Sequence, residues 1–472
     1  MKGKPMHPPR LVDLPPEWPH DLAPSIRSAV SASGHKLVAL DDDPTGVQTV
    51  HDTAVLARWS IDDLTAELRD PRPVCFVLTN SRSLPERDAA RLNQEIAANL
   101  LAASRATGVP VAVASRSDST LRGHFPAETD ALAAMLGPID GVLLVPAFFE
   151  GGRYTIDDIH WVQTGAGLVP AAETEFARDP SFGYTASNLR AWVEEKTRGR
   201  IRADQVASIA LNDLRGGGPE RVASILAGVQ QQQPVIVNAA SYRDLEVVAL
   251  GVLRAEASGK RFLYRTAAGF VRVRAGLSQR ALLSRAELVG AGAPRSLPGL
   301  VVVGSHVRRS GEQLAHLLAQ PGIAPVEIDV PALLDARERD TAISSAQWQA
   351  SAALARGVTP VIFTSRTVEQ AADREAQLDI SRSISAALVA TVRGTTGQPG
   401  WIVGKGGITS SDIGTAALDV RRAIVLGQIA AGIPVWRLGP ETRYPGLPYI
   451  VFPGNVGDPE TLSSVVNTLR GT

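Results

Sequence analysis

The chain has 472 residues, 48 of them basic and 48 acidic, so its formal net charge is zero. That balance argues against a nucleic-acid or anionic-membrane partner, and the length exceeds one ordinary core, which implies two or three domains. A single cysteine, Cys75, excludes an intrachain disulfide and suits a reducing compartment such as the cytoplasm.

Residues 1–35 read as an arm. Met1 to Pro24 is rich in proline and charge and lacks the apolar stretch of a signal peptide. No apolar run reaches the roughly 18 residues that a membrane-spanning helix needs. From residue 36 a strand–helix rhythm sets in, with strands predicted at Leu37–Leu40, Thr53–Ala57, Val74–Thr79, Pro110–Ala114 and Gly141–Val145. Ser60 is a predicted N-cap, and Pro85–Ala106 is a predicted helix with apolar residues at Leu92, Ile96, Leu100 and Leu101. Such alternation implies βαβ units and a largely parallel sheet. Cys75, inside Val74-Cys75-Phe76-Val77-Leu78, reads as a small core residue, not a nucleophile.

Residues 146–186 interrupt the rhythm with Gly-rich, aromatic sequence that includes Gly151-Gly152-Arg153-Tyr154. Strands resume near Val206–Leu211, Pro234–Asn238 and Phe262–Thr266. A Gly/Pro-rich linker at 289–298 separates a first domain, 36–288, from a second, 299–472. The second opens on Leu300-Val301-Val302-Val303, with further strands near Ala324–Asp329, Pro360–Thr364, Trp401–Val403, Pro434–Arg437 and Tyr449–Phe452. Helices are predicted at Gln313–Ala319, Ala346–Ala355 and Gln377–Arg393. The fold class is therefore α/β, two domains with mainly parallel sheets.

Three polar loops of the first domain each follow a strand: Asp41-Asp42-Asp43-Pro44-Thr45-Gly46, Thr79-Asn80-Ser81-Arg82-Ser83, and Ser115-Arg116-Ser117-Asp118-Ser119-Thr120-Leu121-Arg122-Gly123. Parallel strands bring such loops to one edge, where ligands of open α/β sheets bind. Pro44 and Gly46 mark a tight turn, Gly46 by its freedom to take positive φ. Arginine forks at 82, 116 and 122 match a carboxylate or phosphate, and hydroxyls match a polyol. A small hydroxylated anion is the implied ligand. For each arginine alone, an ion pair with a nearby acid is the plainer reading.

In the second domain, Gly404-Lys405-Gly406-Gly407-Ile408-Thr409-Ser410-Ser411-Asp412 follows a strand, as do Gly304-Ser305-His306 and Pro453-Gly454-Asn455-Val456-Gly457. Glycine turns at one sheet edge suit a phosphate, although the spacing around Lys405 is not that of a Walker loop. A glycine turn without a ligand is the alternative. His51, His124, His160 and His306 lie near these loops and read as structural before catalytic. No Cys/His cluster has zinc spacing, so no protein-held metal is expected.

These loops resemble the four-carbon acid sugar kinase family, on Asp42-Asp43-Pro44-Thr45-Gly46, Thr79–Ser83, Asp118–Gly123, Gly406–Asp412 and Pro453-Gly454-Asn455, in order across roughly residues 36 to 468. The resemblance implies an N-terminal substrate domain, a C-terminal nucleotide domain and catalysis in the cleft between them. It implies ATP with Mg²⁺, phosphorylation of the terminal hydroxyl of a threonate-, erythronate- or oxo-tetronate-type acid, and a cytoplasmic chain whose self-association is left open. Carried over, Asp42, Asp43 and Asp118 are the catalytic candidates. Asp42, Arg82, Arg116, Ser119, Arg122 and Arg153 are candidates for the substrate. Ser305, Gly404, Lys405, Gly406, Gly407, Gly454 and Asn455 are candidates for the nucleotide. The extra acid and proline of the first motif, and the long aromatic segment 149–183, depart from the family pattern on the substrate side.

Two rival readings remain at this level. Asp41 and Asp43 fit the nucleophile and acid/base of a haloacid-dehalogenase-like phosphatase. A non-catalytic sugar-acid sensor would use the same two domains. A nicotinamide dehydrogenase lacks its Gly-x-Gly-x-x-Gly turn.

Overall fold

The computed structural model describes residues 8–165, 167–365 and 374–472. The chain divides into two compact units, one running up to Gly46 and taking in Arg58–Gln279, the other comprising Val47–Ala57 and Arg280–Thr472.

In the first unit, β1 (Lys36–Asp41) is buried along its whole length. The chain then lends β2 (Thr53–Leu56) to the second unit and returns for β3 (Val74–Leu78), β4 (Val111–Arg116) and β5 (Gly141–Val145). Three short strands follow, β6 (Arg153–Ile156), β7 (Ile159–Thr164) and β8 (Gly167–Pro170), before β9 (Ala207–Ile209), β10 (Gln233–Val237) and β11 (Phe262–Thr266). The order across the sheet is β3-β1-β4-β11-β5-β10-β9, with every neighbour parallel. Strands covered on both faces must be apolar throughout, which is why Leu37–Leu40 and Val74–Leu78 show no alternation. Crossover helices supply the cover. Glu86–Thr107 buries Ala89, Ile96, Ala97, Leu100 and Ala103 at helical spacing and stops at Gly108, whose φ is +73°. Ser60 caps the helix Ile61–Arg69 by accepting the Asp63 N–H at 3.1 Å.

Register is what positions the site. Asp41 pairs with Leu78 on one side and Arg116 on the other, so β1, β3 and β4 end level.

In the second unit, β12 (Leu300–Val303), β13 (Ile323–Ile328), β14 (Thr359–Thr364), β15 (Ile402–Lys405), β16 (Arg422–Ala430), β17 (Ile433–Leu438) and β18 (Pro448–Phe452) join β2. Their order is β13-β14-β12-β15-β18-β17-β16-β2; the first five run parallel and the last three are antiparallel additions. Val303 pairs with both Phe363 and Lys405, and Lys405 pairs with Phe452, so four strand ends are again level. Val301, Val303, Trp401, Val403, Ile450 and Phe452 form the heart of its core.

The structure differs from the sequence reading in four places. The arm contains a helix, Ala23–Ser33, whose buried Ile26 and Val30 lie one turn apart against the helix Tyr242–Ala257; its first seven residues lie outside the described residues. The segment 47–57 and the helix Arg285–Val289 belong to the second unit, so the division falls at Gln279, ahead of the expected linker. The stretch 146–186 holds an antiparallel sheet, β6-β7-β8, where irregular chain was expected. Strand β16 had no counterpart in the predicted elements.

Candidate functional site

The first unit brings its three polar loops together, as parallel strand ends require. Asp41 closes β1 and is 1% exposed. Its carboxylate accepts from Arg116 Nη1 at 3.2 Å, and burial pushes its pKa up to about 7 against that arginine. A nucleophile must meet its substrate, and Asp41 does not. The phosphatase reading loses its first residue.

Asp42 is buried and receives the Arg82 fork, Nε to Oδ2 at 3.2 Å and Nη2 to Oδ1, together with the Ser117 hydroxyl at 2.6 Å. Asp43 is the more open of the pair, its side chain 23% exposed. Arg82 Nη1 reaches Asp43 Oδ2 at 3.2 Å, and the Thr45 N–H and hydroxyl both donate to Oδ1. Burial disfavours the charged form of Asp43, but Arg82 and Thr45 outweigh it and hold its carboxyl below the usual range. Gly46 does not take a positive φ. Its lack of a side chain matters for space, since a Cβ there would lie 2.0 Å from Asp41 Oδ2.

The third loop adds Asp118, held by Arg122 Nε at 2.8 Å and by the Thr120 hydroxyl. Burial again opposes ionisation, and Arg82 and Arg122 again win, holding the Asp118 carboxyl well below the usual carboxylate range. Gly123, at φ +113°, brings backbone so close that a Cβ would lie 2.5 Å from Ser117 Oγ and 3.0 Å from Asp42 Oδ2. Ser119 uses its carbonyl to accept from His160 Nε2 at 2.7 Å. Arg153, at the start of β6, stands over the Phe176 ring at 5.5 Å, and Arg122 stands over the same ring at 5.2 Å.

Some participants were not singled out from the sequence. Arg265 on β11 donates to Glu128 at 3.1 Å and to Ser115, both buried beside the aspartates. Its signal was present: an arginine inside Phe262–Thr266, a strand otherwise apolar enough to be covered on both faces. Phe176 and Tyr184 carry no such signal. Tyr184 joins the third loop through a hydrogen bond to the Thr120 carbonyl at 2.8 Å.

In the second unit the three glycine loops also meet at one edge. Gly406 has φ +114°, and a Cβ on it would lie 3.0 Å from Ser305 Cβ; one on Gly454 would lie 3.0 Å from Ser305 Oγ. Ser310 donates to Ser305 Oγ at 2.9 Å and to the Gly454 carbonyl at 2.8 Å. Gly404 has a packing role, because a Cβ there would lie 2.4 Å from the Tyr449 hydroxyl. Gly407 opens the short helix Gly407–Asp412, and Asn455 is exposed. The bare, close-set backbone at Ser305, Gly406 and Gly454 fits a phosphate chain.

Lys405 behaves unlike a phosphate-reaching lysine. It is fully buried, and its Nζ donates to the Pro453 carbonyl at 2.6 Å and the Gly454 carbonyl at 3.1 Å while lying 4.2 Å from the Phe452 ring centre. Burial draws its pKa down to about 7.

The four histidines are all engaged. His51 meets Asp52 at 2.8 Å, His124 meets the Ser81 carbonyl at 3.1 Å, and His306 meets Thr364 Oγ1 at 3.1 Å. His160 is enclosed between Thr155 and Ser119, and burial lowers its pKa to about 4.

Comparison with known proteins bears on both edges. Residues 37–274 match the sugar-binding N-terminal domain family, and residues 300–462 match the nucleotide-binding C-terminal domain family. A D-erythronate kinase of Heliobacterium modesticaldum is 27% identical over 178 residues, an alignment covering 38% of each chain. A D-threonate kinase of Bordetella bronchiseptica is 27% identical over 445 residues, covering 91% of this chain and 96% of that one. Among solved structures, a putative tRNA synthase from Salmonella typhimurium superposes with a TM-score of 0.66 at 18% identity, over 91% of this chain and 98% of the other. A Haemophilus influenzae protein gives 0.59 at 19% identity, over 92% and 100%. At such identities the structural likeness speaks for the fold alone.

Proposed function

Because this chain belongs to the four-carbon acid sugar kinase family, we propose that it transfers the γ-phosphoryl group of ATP to the terminal hydroxyl of a four-carbon sugar acid of threonate, erythronate or oxo-tetronate type. The observation that carries this reading is the cluster at the ends of β1, β3 and β4. Two carboxylates held ionised, Asp43 and Asp118, lie there among arginines and hydroxyls.

The donor is ATP as its magnesium complex, taken up by the second unit. Ser305, Gly406, Gly407, Gly454 and Asn455 line the edge for its phosphates, and Gly404 and Lys405 hold that edge in shape. The acceptor is taken up by the first unit, where Ser119 and the arginines receive its oxygens. Asp42, pinned by Arg82 and Ser117, orients the neighbouring carboxylate. Asp43, with Asp118 as the other candidate, accepts the hydroxyl proton as the acceptor oxygen bonds to the γ-phosphorus and the bond from that phosphorus to the β–γ bridging oxygen breaks, releasing ADP. Phosphoryl transfer is catalysed mainly by positioning and charge, so carboxylates, arginines and bare backbone amides suffice without a covalent step. Among the described residues no helix is long and apolar enough to cross a membrane. With its one thiol, Cys75, buried, the chain suits the ATP-supplied cytoplasm.

The test is an ATP-consumption screen of the full chain against threonates, erythronates and oxo-tetronates of both hands, with the phosphorylated carbon located by phosphorus NMR. A terminal phosphate ester on one of these acids is the expected product. Tight acid binding with no ATP consumed would instead favour the sensor reading.

A further inference from the structure

Besides Arg265, which is committed to Glu128, four arginines stand at the edge of the first unit, and they are not equivalent. Arg82 is committed to Asp42 and Asp43, and Arg116 to Asp41. Arg122 is committed to Asp118, with Asp179 at 3.7 Å. The Arg153 side chain makes no hydrogen bond or ion pair with any described residue, its Nε is shielded from solvent without a partner, and the acids Asp118 and Glu175 act on it only from beyond ion-pair distance. A guanidinium is always charged, and leaving it partly buried and unpaired is costly unless something answers it.

Its surroundings are shaped for that answer. Phe176 offers a ring face to both Arg122 and Arg153, which fixes the two forks on one aromatic platform. Gly151 makes the room, since a Cβ there would lie 2.7 Å from Arg153 Nη1. The β6–β7 pairing sets Thr155 opposite His160, and His160 in turn holds the Ser119 carbonyl, so Arg153 grows from a scaffold tied to the third polar loop.

We propose that Arg153, on the Phe176 platform beside Arg122, receives the carboxylate of the sugar acid and makes the site select acids over the corresponding polyols. This rests on the reading of the ligand as a sugar acid. The other arginines then keep the carboxylates of the edge in place, while Arg153 offers a guanidinium fork that no protein group takes up directly.

The experiment compares the preferred acid with threitol or erythritol, which replace the carboxylate by a hydroxymethyl group. Affinities are measured by calorimetry on the full chain and turnover by ATP consumption, for wild type, Arg153→Gln and Arg153→Lys. Arg153→Gln should weaken acid binding roughly 10- to 100-fold, the usual worth of a charge-assisted hydrogen bond, while polyol and ADP binding stay as they were. Arg153→Lys, which keeps the charge and loses the fork, should fall between. An acid-over-polyol ratio unchanged in both variants, or acid and polyol binding falling together with ADP binding intact, would overturn the proposal. If Arg153→Gln fails to fold, the ratio in Arg153→Lys decides in the same way. Acid binding that depends on Arg153 without ATP consumption would leave the clamp standing and remove the kinase; ATP consumption with a ratio blind to residue 153 would do the reverse.

Discussion

Arg82 grips Asp42 with two nitrogens and touches Asp43 with the third, so one side chain from the loop after β3 sets both acids that follow β1. The Asp42 side chain is only 2% exposed and that of Arg82 18%. Removing one partner of such a pair leaves a buried charge with little to answer it.

Arg82→Gln should therefore destabilise the first unit by about 3 kcal/mol at neutral pH, read from urea unfolding. The Ser117 hydroxyl still serves Asp42, and Arg116 stands 4.0 Å from it, which keeps the loss near the lower end of that range. Ser117→Ala should cost about 1 kcal/mol, the worth of one hydrogen bond. A midpoint unmoved by Arg82→Gln would mean the fork does not hold Asp42.

Asp43 presents the more open carboxylate, so it is the first choice to take the acceptor's proton. Asp43→Asn should lower kcat about 10²- to 10⁴-fold, the span of general-base catalysis, with ADP affinity unchanged because its neighbours all lie in the first unit. Asp118→Asn serves as the comparison. Collapse in the second variant with survival of the first would move the base to Asp118.

Much of this arrangement was legible in the sequence, and the limits have physical causes. Leu37–Leu40 followed by three aspartates can hardly be read other than as a covered strand emptying into a polar edge, and Leu300–Val303 before Gly304 repeats the pattern. Pairing was not legible. That Arg82 serves Asp42 and Arg116 serves Asp41 depends on the order β3-β1-β4 and on register, which no local pattern encodes. For the same reason Thr53–Leu56 read as a strand but not as a strand of the other unit. The helix Ala23–Ser33 buries only Ile26 and Val30, too few apolar positions to stand out beside its prolines. Lys405 looked like a phosphate ligand because glycines flank it; only the structure turns its ammonium toward the 453–454 carbonyls.

His160 gives a pH prediction whose sign is fixed. Its pKa falls from 6.5 in the unfolded chain to about 4 in the fold because burial disfavours the imidazolium. The folded state thus binds fewer protons than the unfolded one between those values. Its contribution is intact above pH 6.5 and is lost as pH falls toward 4, by about 3 kcal/mol in all. His160→Gln should flatten this dependence: urea midpoints of variant and wild type should converge as pH drops from 7 to 4. Parallel curves over that window would show that the ring titrates normally.

Lys405 separates positioning from chemistry. Its ammonium serves two carbonyls of the loop carrying Gly454 and has no carboxylate partner among the described residues. Lys405→Met keeps the volume, removes a costly buried charge and leaves both carbonyls without their donor. The 453–455 loop should loosen against Ser305, so KM for ATP should rise about tenfold, the worth of one charge-assisted bond, while kcat changes little. Steady-state kinetics at saturating sugar acid reads the split directly. A kcat that collapsed with KM unchanged would mean that Lys405 turns outward in the loaded enzyme and meets the transferred phosphate itself.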